Sequence, residues 1–155
     1  MKVCLKNPQA TEELGKNIGR FLQSGDVVCL SGDLGAGKTC LCQGIASALG
    51  VAKQDVTSPT FTIMNIYDGN LAIHHFDFYR LNRAEELDDI GFDEYACGEG
   101  VTLIEWAEMF LERLPDEYLQ INLFCENEGR RAEIIAKGKR YEKLVENLEN
   151  VYFGN

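Results

Sequence analysis

Gly32-Asp33-Leu34-Gly35-Ala36-Gly37-Lys38-Thr39 sets two glycines, a lysine and a hydroxyl in the spacing G-x-x-x-x-G-K-[ST]. That spacing is chemistry for phosphate. The glycines reach backbone conformations closed to other residues, so successive N–H groups point into one concavity. A helix that starts where the loop ends adds partial positive charge at the same point. Lys38 is a compact cation able to reach the β- and γ-phosphates, and Thr39 offers a hydroxyl to Mg²⁺. Such a loop needs a second, acidic metal ligand at the C-terminal end of a neighbouring strand. Two acids qualify. Glu105 ends the apolar run Val101-Thr102-Leu103-Ile104. Asp77 sits among aromatics in His74-His75-Phe76-Asp77-Phe78-Tyr79-Arg80. One would hold Mg²⁺ and the other would orient the attacking water or the metal's shell. Trp106 follows Glu105 directly, as a core anchor or as an aromatic beside the phosphate site that meets a partner.

These residues need a frame. The apolar run 27–31 reads as a strand buried on both faces, placed directly before the Gly-rich loop. Leu41, Ile45 and Leu49 then repeat at helical spacing up to Gly50. This order, buried strand, loop, helix, is the context the phosphate loop requires. Upstream, residues 1–6 form a possible edge strand. Thr11 reads as the cap of a helix carrying Leu14, Ile18, Phe21 and Leu22, stopped by Gly25. Strands at 60–67 and 71–78 flank the turn Asp68-Gly69-Asn70. Asn82 and Glu85 resemble a capping box for a short helix ending at Ile90. After a strand at 101–104, a helix runs to Arg113 before Pro115, a second hairpin joins 119–125 to 131–136, and 139–150 is an amphipathic helix. No repeat or linker divides the chain, so residues 1–155 read as one domain. The fold expected is α/β with a mixed parallel and antiparallel sheet flanked by helices.

Composition narrows the function. With 15 Lys and Arg against 25 Asp and Glu the net charge is −10. Such a chain repels polyphosphate at long range and is poorly suited to nonspecific nucleic-acid binding, yet a local nest of N–H groups still takes a nucleotide. If it serves an RNA pathway, it does so through a protein partner. The six cysteines include no C-x-x-C pair and read as reduced thiols. No apolar run approaches a membrane span, and residues 1–17 lack the apolar core of a signal peptide, so a cytoplasmic protein is expected. His74 and His75 are adjacent on a strand and face opposite sides, which excludes both from one metal. Arg130 and Arg131 read as a solvated hairpin tip. Val56-Thr57-Ser58-Pro59-Thr60-Phe61 lies where a nucleotide-sensing segment would sit, or is an ordinary turn.

The loop alone does not choose among ATPase, GTPase and kinase. The guanine-specifying Asn-Lys-x-Asp is absent. A small-molecule kinase is the serious alternative, since its phosphate loop has the same form, although no stretch reads as its helical lid. Four segments in order narrow the choice: residues 31–39, Thr57-Ser58-Pro59-Thr60-Phe61, His75-Phe76-Asp77-Phe78-Tyr79-Arg80-Leu81 and Leu103-Ile104-Glu105-Trp106-Ala107-Glu108. Together the chain resembles the TsaE (YjeE) family of bacterial tRNA threonylcarbamoyladenosine biosynthesis. Cys40 stands where a second threonine is common in that family, which affects packing near the nucleotide. The resemblance implies a P-loop NTPase fold and ATP bound by Gly32, Asp33, Leu34, Gly35, Ala36, Gly37, Lys38, Thr39 and Cys40. It implies Mg²⁺ on Thr39 and Glu105, and Lys38, Asp77, Glu105 and Trp106 as the catalytic set. It also implies that the partner is the TsaB–TsaD heterodimer and that tRNA is reached only through that partner. No obvious arginine finger stands out in the sequence, so hydrolysis is expected to be slow alone and faster with the partner.

Overall fold

A computed structural model describes residues 1–33, 35–59 and 62–154. Among them, seven strands form one sheet in the order β1-β7-β6-β2-β5-β4-β3. In chain order these are β1 (Lys2–Leu5), β2 (Val27–Gly32), β3 (Met64–Asp68), β4 (Ala72–Asp77), β5 (Val101–Glu105), β6 (Tyr118–Cys125) and β7 (Arg130–Lys137). β2 runs parallel to both β5 and β6, and β4 parallel to β5. Antiparallel pairs β3–β4, β6–β7 and β1–β7 extend the sheet to both edges. The mixed sheet expected from the sequence is the one found.

The helices are α1 (Pro8–Phe21), α2 (Lys38–Ala48), α3 (Glu86–Asp89), α4 (Phe92–Ala96) and α5 (Lys139–Phe153). Alternation along the central strands sends side chains to two cores. Val28, Leu30 and Leu103 meet Leu14, Ile18, Leu41, Ile45 and Leu144 of α1, α2 and α5. Val27, Cys29, Phe76 and Ile104 meet Leu87 and Phe92 of α3 and α4. β2 and β5 are therefore buried on both faces, which is why each reads as a continuous apolar run.

Four local expectations are corrected. α1 starts earlier than Thr11: Asn7 caps it by accepting from the Ala10 N–H at 2.8 Å, with Pro8 in the first turn. Thr11 is buried instead, facing Gly37. The carboxylate that accepts from the backbone N–H groups of Asn82 and Arg83 belongs to Glu86, not Glu85. Ala107–Arg113 winds as 3₁₀ helix rather than α, broken at Phe110 (φ −142°, ψ 64°), whose ring meets Phe78. The first hairpin strand, expected from residue 60, begins at Met64, and Thr60 and Phe61 lie outside the described residues. Among the described residues no helix is long and apolar enough to cross a membrane.

Candidate functional site

A cleft of about 700 Å³ opens at the C-terminal ends of β2, β4 and β5, lined by the phosphate loop, Ser58, Asp77, Tyr79, Arg80, Glu105 and Trp106. Its floor is built by β2 turning into α2. Gly32 passes so close to β6 that a Cβ there would stand 2.8 Å from the Leu123 carbonyl oxygen. Gly37 is left-handed (φ 104°) and directly precedes α2, so Lys38 and Thr39 occupy the first turn of that helix. Leu34, expected in the loop, lies outside the described residues.

Parallel pairing aligns the two acids. Asp77 and Glu105 are register partners at the ends of β4 and β5, and Glu105 in turn pairs with Leu30 of β2. Both carboxylates are almost wholly buried. The backbone N–H of Tyr79 donates to Asp77 Oδ1 at 2.8 Å. After Glu105 the chain turns through a left-handed Trp106 (φ 59°). This turn brings the indole against Tyr79, with ring centroids 4.9 Å apart and planes tilted by 41°. Trp106, read from the sequence as a core anchor or as an aromatic that meets a partner, is half-buried and lines the cleft.

Lys38 is 7% exposed; its ammonium donates to Gly32 O at 2.6 Å and lies 3.9 Å from the centre of the Trp106 ring. Burial lowers its pKa, while the nearby carboxylates of Glu105, Glu108, Asp77 and Asp33 hold it up. The site is thus a cation ringed by acids. An incoming phosphate needs a further cation to offset those carboxylates.

Two expectations change in detail. Cys40 lines the cleft, but its thiol is directed to the Pro8 carbonyl at 3.2 Å, which ties α2 to the start of α1. Arg130 is not simply a solvated tip: its guanidinium donates to Gly35 O at 3.0 Å and so straps the β6–β7 hairpin to the phosphate loop. Sequence reasoning found no arginine beside the phosphates, yet Arg80 lines the cleft. It also missed a network behind Glu105. His75 Nε2 lies 2.6 Å from Glu105 Oε2, and its Nδ1 lies 3.1 Å from the Tyr67 hydroxyl. The signal was present in the alternation of β4, which puts His75 on the same face as Asp77 and His74 on the other, against Tyr95.

Cys42 Sγ completes a buried trio with His75 and Glu105, the three ligand atoms within 4.8 Å of one another. A tetrahedral zinc would hold its nitrogen and oxygen ligands about 3.3 Å apart. The 2.6 Å separation is that of a hydrogen bond, so the trio is a packed relay. The Cys42 thiol is pushed well above its usual pKa by burial and stays protonated.

A Gly-rich loop between a buried parallel strand and a helix, faced by acids at the ends of β5 and β4, the next two strands across the sheet, defines a P-loop NTPase fold. The particular family follows from comparison with known proteins. Residues 5–133 match the family described as "Threonylcarbamoyl adenosine biosynthesis protein TsaE". The chain is 45% identical over 144 residues to the tRNA threonylcarbamoyladenosine biosynthesis protein TsaE of Bacillus subtilis (strain 168), covering 92% of this chain and 89% of that one. It is 40% identical over 136 residues to the protein of the same name from Treponema pallidum (strain Nichols), covering 88% and 100%. The crystal structure of Bacillus subtilis YdiB superposes with a TM-score of 0.82 at 39% identity, covering 98% of this chain and 95% of that one. The chain belongs to the TsaE family, whose members take part in tRNA threonylcarbamoyladenosine biosynthesis.

Proposed function

We propose that this chain is a Mg²⁺-dependent ATPase of the cytoplasm that binds the TsaB–TsaD complex and supports its turnover during threonylcarbamoyladenosine modification of tRNA. The observation that carries the reading is the alignment of Glu105 and Asp77, register partners on β5 and β4, with the loop that ends in Lys38 and Thr39. A hydroxyl and carboxylates are the hard oxygen donors Mg²⁺ prefers, so the residues fit the metal; Thr39 and Glu105 would hold it. Bound there, Mg²⁺ neutralises charge on the phosphates.

The chain's own groups supply the rest. Backbone N–H groups of the loop and the start of α2 cradle the phosphates. Lys38 leaves Gly32 O and the Trp106 face to reach them. Asp77, held by the Tyr79 N–H, would orient a water. The net charge of −10 agrees with an enzyme that meets tRNA only through its partner.

The test is phosphate release from Mg·ATP with and without purified TsaB–TsaD. Marked stimulation is expected. Binding of ATP without stimulation, together with phosphate transfer to a small-molecule acceptor, would replace this reading with a kinase.

A further inference from the structure

We propose that His75 and Tyr67 are positioning residues that tie the carboxylate of Glu105 to segment 57–59, so that the metal-holding acid and the segment bordering the phosphates shift together. This rests on the ATPase reading of the same site. The connection is continuous. The imidazole donates from Nε2 to Glu105 Oε2 at 2.6 Å, and Nδ1 meets the Tyr67 hydroxyl at 3.1 Å. The Tyr67 hydroxyl accepts from the Thr57 N–H at 3.3 Å, and its one proton is shared between Thr57 O at 2.9 Å and His75 Nδ1. Asn65 secures the same residue, its amide donating to Thr57 Oγ1 at 3.3 Å. Both ends reach the cleft, since Glu105 and Ser58 line it.

Burial makes the relay specific. His75 is 0%, Glu105 3% and Tyr67 7% exposed. Polar groups withdrawn from water this far are costly unless bonded to each other. Apolar side chains would fill the same space without that cost, so packing alone does not account for them. Each ring nitrogen of His75 has one oxygen partner, one in the carboxylate and one in the phenol. A shift of segment 57–59 is therefore transmitted to Glu105, and a change at Glu105 is transmitted back. Supporting partners of this kind set the orientation of a ligating carboxylate.

The test measures ADP affinity by calorimetry across a Mg²⁺ series, in Tyr67→Phe and His75→Gln, each alone and with Glu105→Gln. In Tyr67→Phe the Mg²⁺ concentration for half-maximal tightening should rise about 10-fold, with Mg²⁺-free ADP affinity unchanged. In the Glu105→Gln background the same change should add no further shift. His75→Gln, whose amide can still donate to Glu105 but no longer meets Tyr67, should raise the midpoint as Tyr67→Phe does and lose hydrogen-exchange protection at Thr57 and Ser58. An unmoved Mg²⁺ midpoint in Tyr67→Phe, or an equal shift with and without Glu105, would overturn the relay. So would equal weakening of Mg²⁺-free and Mg²⁺-loaded binding, the mark of a merely structural role. Because the readout is binding, a wild type that binds Mg·ADP but releases no phosphate from ATP would sink the ATPase reading alone. Turnover with an unmoved midpoint would sink the relay alone.

Discussion

Gly44→Ala tests how the phosphate loop is held from behind. Gly44 lies in α2 where it crosses α1, and a Cβ there would stand 2.1 Å from the Glu12 carbonyl oxygen and 3.0 Å from the Cα of Gly15. Both contacts are backbone, so no side chain can swing away. Relief to ordinary contact requires the helices to part by about 1.3 Å, an overpacking that typically costs ~1–3 kcal/mol. Separation also loosens Leu14 and Ile18 from Leu41 and Ile45, all fully buried. Alanine's helix propensity returns about 1 kcal/mol. With the loosened packing still to add, the net loss is up to about 2 kcal/mol, and at ~2–4 °C per kcal/mol for a chain of this size Tm should fall by up to about 8 °C. α2 begins at Lys38, so the displacement reaches the site. A misplacement of about 1 Å can cost as much as ~100-fold in turnover. The assays are thermal unfolding and ATP turnover measured well below Tm. Gly25→Ala is the control: nothing lies within 4 Å of its Cβ and it does not line the cleft, but its left-handed φ of 98° strains alanine by about 1 kcal/mol, so it should lower Tm and leave turnover unchanged. A Gly44→Ala protein with Tm at or above wild type would refute the close-contact argument, because propensity would then outweigh the clash.

Other outcomes follow from the same geometry. Lys38→Met removes a charged donor and should weaken ADP binding by about 10- to 100-fold and abolish turnover; calorimetry showing wild-type affinity would contradict the phosphate role. Arg130→Ala frees the loop from the β6–β7 hairpin and should weaken ADP binding about 2- to 10-fold, while Arg131→Ala, which pairs with Glu126 away from the loop, should not. Tyr141, whose hydroxyl accepts from Val27 N–H at 2.8 Å, is pushed up to about 12 by burial. The folded state therefore keeps the phenol's proton where the unfolded chain loses it. Its contribution is full below pH 10 and is lost as pH rises from 10 to 12. Urea midpoints across that range should fall less steeply in Tyr141→Phe than in wild type; parallel slopes would show that Tyr141 does not titrate differently in the two states.

The parts of the site readable from sequence are those encoded in short stretches. The phosphate loop declared itself by spacing, and Glu105 by closing an apolar run. The hairpins were marked by Asp68-Gly69-Asn70 and Asn127-Glu128-Gly129. What was not readable depends on pairing between distant segments. The His75 relay exists because Asn65 pairs with His75 across β3–β4 while β4 pairs in parallel with β5. No local pattern specifies either register. The Arg130 strap to Gly35 spans 95 positions. Thr11 shows the opposite failure: its type and its acidic neighbours matched a helix cap, but tertiary contact with the phosphate loop placed it inside, and Asn7 with Pro8 opened the helix. Helical spacing after Trp106 was a weaker guide than the packing of Phe110, which broke the turn into 3₁₀ geometry.

Trp106 is the sole tryptophan of the chain, and it sits beneath the ammonium of Lys38. Excited beyond the absorption of tyrosine, the protein therefore emits from one position, inside its own phosphate cleft. When Lys38 moves to a phosphate, a positive charge 3.9 Å from the centre of the indole ring departs and the emission must change with it. If the cleft loads a nucleotide as proposed, stopped-flow emission of the unlabelled protein should report it. The loop carries its own optical gauge.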